Sequence, residues 1–276
     1  VTQSILYALP TKQCNLTCAH CDVKNVVDDY NEEAFLGAIR KFDGSIVLFG
    51  GEPSLYKERL LKAVATGKIN SITTNLINLD DELIQIYKDL FVGTSWNKVR
   101  FFGNQFSLWL SNLKKLEENE IVCTVLITLT GELINDDIEN FFSLIKNLDE
   151  NYKAVDSILF EQIIDGNKTK EFYEQVDEWL CKIHELWQNY DIKIENSIIG
   201  KLKHWNHDCT QTYTLHPNGR MAHGCPHAAS IHVAHECLTC PRVGECRPCR
   251  LQQHCTYPQK LAQLVAEKTK RANKNV

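Results

Sequence analysis

The feature that most constrains the fold is an alternation that runs through the first 200 residues. Six short apolar runs each precede an amphipathic segment. The runs "SILYALPT" (4–11), "SIVLFGGEP" (45–53), "SITTNL" (71–76), "FVGTSW" (91–96), "IVCTVLITLT" (121–130) and "VDSILFEQII" (155–164) read as strands. The segments 31–42, 56–67, 80–90, 105–120 and 136–148 read as helices, and a longer helix runs from about Thr169 to Tyr190. Phe35, Leu36, Ile39 and Phe42 share one helical face, as do Phe106, Trp109, Leu110, Leu113 and Leu116. Strands alternating with helices demand a parallel sheet with helices outside it. The strands are apolar runs, as expected when both faces are buried. Six such units suit an α/β chain folded as a partial (β/α)6 barrel of the TIM type. In such folds ligands gather where strands end and loops begin.

The composition changes near Gly200. Residues 201–276 hold 11 Lys/Arg against 4 Asp/Glu, whereas residues 1–200 hold 19 against 31. Eight of the ten histidines also follow residue 200. This marks a barrel over 1–200, a cysteine-rich domain over 201–258 and a C-terminal helix and basic tail over 259–276. The basic end can attract an anionic partner, although negative thiolates and clusters there would need the same compensation. Twelve cysteines in a long, helix-patterned chain with no secretion signal point to reduced thiolates that bind metal, and to the cytoplasm. No apolar run reaches membrane-spanning length, so no membrane association is expected.

The loop after the first strand reads "KQCNLTCAHCDVKN" (12–25), with Cys14, Cys18 and Cys21 spaced Cys-x3-Cys-x2-Cys. Structural zinc and ordinary four-iron clusters take four protein ligands. Three thiolates can hold three irons of a [4Fe–4S] cluster and leave the fourth open to a small chelating ligand. At the end of the second strand, "FGGEP" offers Gly50 and Gly51 for close backbone approach and Glu52 as a carboxylate suited to an ammonium group. A zinc knuckle or structural cluster is the alternative, but it leaves the glycine–glutamate loop unexplained.

These two motifs together, Cys14/Cys18/Cys21 after strand one and Gly50-Gly51-Glu52-Pro53 after strand two, resemble the radical S-adenosylmethionine (SAM) superfamily. Asn15 and Leu16 match its common "CNLxCxxC" form, with His20 where many members have an aromatic residue. The resemblance covers roughly residues 4–200. It implies that the amine and carboxylate of SAM chelate the open iron, and that one electron from the cluster cleaves SAM to a 5′-deoxyadenosyl radical that abstracts a substrate hydrogen. It further implies a low-potential electron donor such as flavodoxin or ferredoxin. Thr73, Thr74 and Asn75 resemble the "TN" end of strand three near the ribose. Ser95 stands where the family often has a serine near the SAM carboxylate, Asn97 replaces an acid common in relatives, and Arg100 is placed to pair with the carboxylate. Glu161 and Gln162, on strand six, are candidate substrate contacts.

After residue 200 the order Cys237-x2-Cys240-x5-Cys246-x2-Cys249-x5-Cys255, with Cys209 and Cys225 upstream, resembles the SPASM extension of these enzymes. That module holds two auxiliary [4Fe–4S] clusters. By order, Cys237, Cys240, Cys246 and Cys255 complete one, and Cys209, Cys225 and Cys249 leave the other a ligand short, to be filled by His223, His227, water or substrate. One cluster plus a zinc, or a shorter twitch module with one cluster, is the alternative. Cys123, Cys181 and His184 read as structural residues, and His204 and His207 as linker.

The substrates of the resembling family are often peptide or protein side chains. The motif begins by residue 14, which leaves no room before it for a leader-binding domain. That brings a partner protein, a small molecule or modified bacteriophage DNA into consideration beside a peptide; the stretch "TSWNKVRF" resembles radical SAM enzymes that remodel modified bases of bacteriophage DNA, and the basic end keeps nucleic acid open. A non-enzymatic iron–sulfur or zinc-binding module is the reading outside catalysis.

Overall fold

Each apolar run becomes a strand, and most of the helices open on a polar residue whose side chain caps the first turn. The computed structural model describes residues 4–18, 21, 28–97, 99–162, 195–196 and 212–223, with isolated helical positions between 172 and 186. The strands are β1 (Ile5–Ala8), β2 (Ser45–Leu48), β3 (Ile69–Thr74), β4 (Phe91–Trp96), β5 (Cys123–Leu129) and β6 (Val155–Gln162). They pair in chain order and in parallel.

The helices are α1 (Glu32–Lys41), α2 (Lys57–Val64), α3 (Asp81–Tyr87), α4 (Gln105–Glu118), the short α5 (Gly131–Ile134) and α6 (Ile138–Asn151). Asn31, Asp80, Thr130 and Asp137 cap α1, α3, α5 and α6 by accepting from first-turn N–H groups. Each such cap stabilises its helix by about 1 kcal/mol. The charges agree, with Glu32 and Glu33 opening α1 and Arg40 and Lys41 closing it.

Strand alternation divides the sheet into two unlike faces. Leu6, Ala8, Ile46, Leu48, Ile72, Val125, Ile127 and Ile158 are buried under the helices. Trp109 of α4 fills the same layer, and its indole N–H donates to the Thr94 hydroxyl at 2.9 Å. The opposite positions, among them Tyr7, Val47, Thr73, Thr124, Thr128 and Ser157, are only half-buried. The strands are therefore not buried equally on both faces. The inner face is the wall of an open barrel, and Gly93 is packed closely there, since an added Cβ would meet Leu126 at 3.2 Å and Thr73 at 3.5 Å.

Three further strands lie at the sheet's ends. β7 (Glu195–Asn196) pairs with β6. β8 (Thr212–Leu215) pairs in parallel with β1, and β9 (Met221–His223) folds back on β8 as a hairpin. The order is β7-β6-β5-β4-β3-β2-β1-β8-β9. Residues 212–223 fall after the composition boundary yet extend the barrel's own sheet. The hairpin turn also reaches α1: Asn31 donates its N–H to the Pro217 carbonyl at 2.9 Å, and Asn218 donates to Asp29 at 2.6 Å. Gly219, at φ +82°, lies so close to Ala34 that a Cβ there would stand 2.3 Å away. Val176, Trp179 and Ile183 are buried at helical spacing, with Trp179 edge-on to Phe141 and Phe160.

Cys209, Cys225, Cys237, Cys240, Cys246, Cys249 and Cys255 lie outside the described residues, as do His20, Cys181, His184, His204, His207, His227 and the closing helix. No helix among the described residues is long and apolar enough to cross a membrane.

Candidate functional site

The loops leaving β1 and β2 continue side by side after the strands end. Phe49 N–H donates to the Ala8 carbonyl at 2.9 Å, Gly51 N–H to Thr11 at 3.0 Å, and Glu52 N–H to Gln13 at 2.7 Å. The cysteine loop and the Gly50–Pro53 loop are thus one stitched backbone unit. The glycines permit it. A Cβ on Gly51 would sit 1.9 Å from the Gln13 carbonyl oxygen, and Gly50 adopts φ +134° with the Thr11 carbonyl 2.7 Å from its Cβ position. Sequence reasoning expected these glycines to admit a ligand; the close approach seen here is that of the cysteine loop itself.

Glu52 is fully buried. Its carboxylate accepts from Ser54 N–H at 3.0 Å and the Thr74 hydroxyl at 2.8 Å on one oxygen, and from Asn75 N–H at 2.6 Å on the other. It caps a 3-10 turn, Pro53–Tyr56, with Pro53 at the position that needs no N–H. Glu52 therefore braces the β2 end against the β3 end, while Oε2, with one donor, retains acceptor capacity.

The loop after β3 is held on every side. Thr74 Oγ1 accepts from Leu76 N–H at 3.0 Å, and Asn75 Oδ1 from Ile77 N–H at 3.0 Å. Leu76 sits in the left-handed region at φ 58°. Asn112 of α4, buried, donates to the carbonyls of Leu76 at 2.8 Å and Ile77 at 3.1 Å. Asn112→Leu removes both donors from buried carbonyls. We expect it to destabilise the fold by about 2–3 kcal/mol, measured by urea unfolding. Unchanged stability would show that these bonds do not hold the loop.

Cys14, Cys18 and Cys21 are not in disulfides. Cys18 is buried, Cys14 stands at the rim, and Cys21 N–H donates to the Cys18 carbonyl at 3.2 Å. Cys14 Sγ accepts from Leu16 N–H at 3.4 Å and from Asn75 Nδ2 at 3.8 Å. Although Cys14 is exposed at its surface, desolvation around the sulfur raises its thiol pKa most. The Leu16 N–H opposes this, and the charges of Glu52, Cys18 and Cys21 raise it further. Among the described residues no three His, Cys, Asp or Glu side chains converge on a single metal ion. A cubane binds one thiolate per iron and so keeps its cysteines apart. Three thiols outside any disulfide, one of them taking two N–H donors, fit that donor set.

The remaining candidates sit at the other strand ends. Ser95 closes β4 and is buried. Asn97 is buried and donates to the Thr128 carbonyl at 3.0 Å and the Thr130 hydroxyl at 3.3 Å, while accepting from Val99 N–H at 3.0 Å. It ties β4 to β5. Arg100 donates its backbone N–H to Asn97, and its buried Nε has no partner among the described residues. Glu161 and Gln162 end β6 in register with Thr128 and Leu129. Burial pushes the Cys123 thiol up to about 12, which makes it an inert apolar side chain.

One residue that braces the site escaped the sequence. Arg59 of α2 lies 4.1 Å from the ring centres of both Tyr30 and Tyr56, and donates to the Pro10 carbonyl at 3.0 Å and to Asp28 at 2.6 Å. Asp28 also accepts from the Thr11 hydroxyl at 3.0 Å. Arg59 thus clamps the start of the cysteine loop to residues 28–30 on its far side. Only a charge at a helix start marked it in the sequence.

No protein-family model and no curated protein matches the chain. Solved structures do. The "native anSMEcpe with bound AdoMet and Cp18Cys peptide" is 14% identical with a TM-score of 0.65, covering 96% of this chain and 99% of that one. A histidine-tagged anSMEcpe with bound AdoMet is 15% identical with a TM-score of 0.58, covering 80% and 73%. Streptococcus suis SuiB bound to S-adenosylmethionine is 14% identical with a TM-score of 0.54, covering 79% and 57%. In fold, the chain is a partial barrel similar to those of SPASM/twitch radical SAM enzymes.

Proposed function

We propose that this chain is a radical SAM enzyme that modifies a peptide or protein side chain. The observation that carries the reading is the stitched pair of loops, which sets three thiols, none in a disulfide, beside the Gly50–Pro53 turn at the mouth of an open barrel. Cys14, Cys18 and Cys21 would hold a [4Fe–4S] cluster, which when bound supplies the electron that cleaves SAM. Gly50, Gly51, Glu52 and Pro53 form the wall facing the methionyl end, with the free acceptor capacity on Glu52 matched to its ammonium group. The unpartnered Nε of Arg100 suits a carboxylate, and Ser95 and Thr74 stand at the neighbouring strand ends. The half-buried inner face, hydroxyl-rich at Thr73, Thr124, Thr128 and Ser157, leaves space for a substrate side chain.

A peptide is favoured because a structure similar over nearly the whole chain was solved with one. The seven cysteines from Cys209 to Cys255 are proposed to hold two auxiliary [4Fe–4S] clusters in the 201–258 domain, with reduction by flavodoxin or ferredoxin in the cytoplasm.

The test is anaerobic reconstitution followed by dithionite and SAM. We expect 5′-deoxyadenosine, and about eight to twelve irons per chain. Absence of 5′-deoxyadenosine overturns the enzyme, and about four irons removes the auxiliary pair. Deuterated peptides and deuterated modified DNA are then compared as donors of label to 5′-deoxyadenosine. Transfer from DNA alone overturns the peptide assignment.

A further inference from the structure

We propose that Asn75 is a positioning residue that acts on the cluster through the Cys14 sulfur, setting how readily the cluster accepts its electron. This deepens the proposed function and rests on its assignment of a cluster to Cys14, Cys18 and Cys21.

Asn75 is buried, and its carboxamide is fully committed. Oδ1 accepts from Ile77 N–H at 3.0 Å, which fixes which end of the amide is oxygen. The two Nδ2 hydrogens then have two acceptors, Asn15 Oδ1 at 2.6 Å and Cys14 Sγ at 3.8 Å. The amide is held by its bonds to Ile77, Asn15 and Cys14, on a backbone pinned by Glu52 through the 2.6 Å bond to Asn75 N–H and, at the residues after it, by Asn112. A donor held this firmly beside a cluster thiolate stabilises the more negative, reduced cluster, since hydrogen bonds to the sulfurs are among the determinants of cluster potential. Asn15 makes a second link from the same amide to the residue after Cys14, so the β3 end fixes the sulfur's position as well as its charge. The buried Glu52 carboxylate opposes this effect through its own negative charge. The Asn75 dipole sits between the two negative groups.

The experiment uses the full-length, reconstituted protein and reads the cluster whose EPR signal changes when SAM is added. In Asn75→Leu, of similar shape but without a donor, we expect the reduced-to-oxidised ratio at a fixed applied potential to fall about tenfold, a shift of about 59 mV for one electron. In wild-type protein labelled with 15N in asparagine side chains, we expect a 15N hyperfine coupling on the reduced cluster by ENDOR. An unshifted potential in a fully loaded variant overturns the proposal, and so does the absence of 15N coupling in the wild type. The second measurement decides the matter even where Asn75→Leu does not load iron. A preparation in which the wild type forms no SAM-responsive cluster would instead overturn the proposed function.

Discussion

Gly51→Ala is expected to leave the barrel folded and to strip the three-cysteine loop of the proposed cluster. The new Cβ would lie 1.9 Å from the Gln13 carbonyl oxygen, 2.6 Å from its carbon and 2.7 Å from the Lys12 carbonyl carbon. All are backbone atoms, so no side-chain rotation relieves the overlap. The two loops must part by about 1 Å, since overlapping core atoms force backbone shifts, and the bonds from Gly51 to Thr11 and from Glu52 to Gln13 break with them. The loss of positional control over Cys14 and Cys18 is greater than the energy of two hydrogen bonds. We expect anaerobic reconstitution to yield about four fewer irons per chain, no 5′-deoxyadenosine, and an unchanged far-UV circular dichroism spectrum. Gly67→Ala is the control: Gly67 also has a positive φ, 69°, but nothing stands within 4 Å of its Cβ position. It should lose about 1 kcal/mol of stability and no iron. A Gly51→Ala protein with full iron would show that the stitched loops are not what places the cysteines.

The second large effect is expected from Arg59→Ala. Arg59 and Asp28 are mostly buried, with side chains 20% and 10% exposed. Deleting the guanidinium leaves the Asp28 carboxylate facing low dielectric with only Thr11, among the described residues, to donate to it, and Oδ1 has no partner among them. Breaking such a pair costs about 3–5 kcal/mol when fully buried, and partial exposure lowers the expected cost here to about 2–3 kcal/mol. The loss falls on the cysteine loop, because Arg59 joins Pro10 to Asp28 across it. Limited proteolysis should cut between residues 10 and 30 in the variant first, and chelators should remove iron from it faster. Arg59→Lys keeps the charge but not the planar stack between Tyr30 and Tyr56, and should recover only part of the loss. Full recovery in the lysine variant would mean that charge alone makes the clamp.

Much of the barrel was legible because local pattern and tertiary role agree. The run 91–96 is β4 to the residue, and the helix read over 105–120 is α4 at 105–118. Apolar periodicity reports burial, and Trp109, Leu113 and Leu116 are indeed buried. α5 was not legible: four residues give no periodicity, and Thr130 alone starts it. The β8–β9 hairpin was missed for a different reason. "TYTL" is a weak strand signal, and its partner, β1, lies some 200 residues away. At the site, residue types marked the cysteine and glycine loops, since thiols and paired glycines are informative in themselves. What sequence could not show is what each group spends its bonds on. The Glu52 carboxylate braces the β3 end, and the Asn75 amide addresses a sulfur, because both depend on a backbone turn fixed by Asn112 from another helix. Asn97 reads as a replaced acid and proves to be a tie between strands.

The hairpin has a consequence for the order of events during synthesis. Asn218 and Asp29, hydrogen-bonded at 2.6 Å, are 189 positions apart. β1 therefore keeps an open edge, and the exit of the cysteine loop is held only through Asp28 by Arg59 and Thr11, until residues 212–223 have left the ribosome. At about 5–20 residues per second that delay is on the order of ten seconds or more. A cluster proposed for the N-terminal cysteines would, if loaded earlier, meet a loop held by Arg59 but not yet by Asn218, whose arrival belongs to the last quarter of the chain.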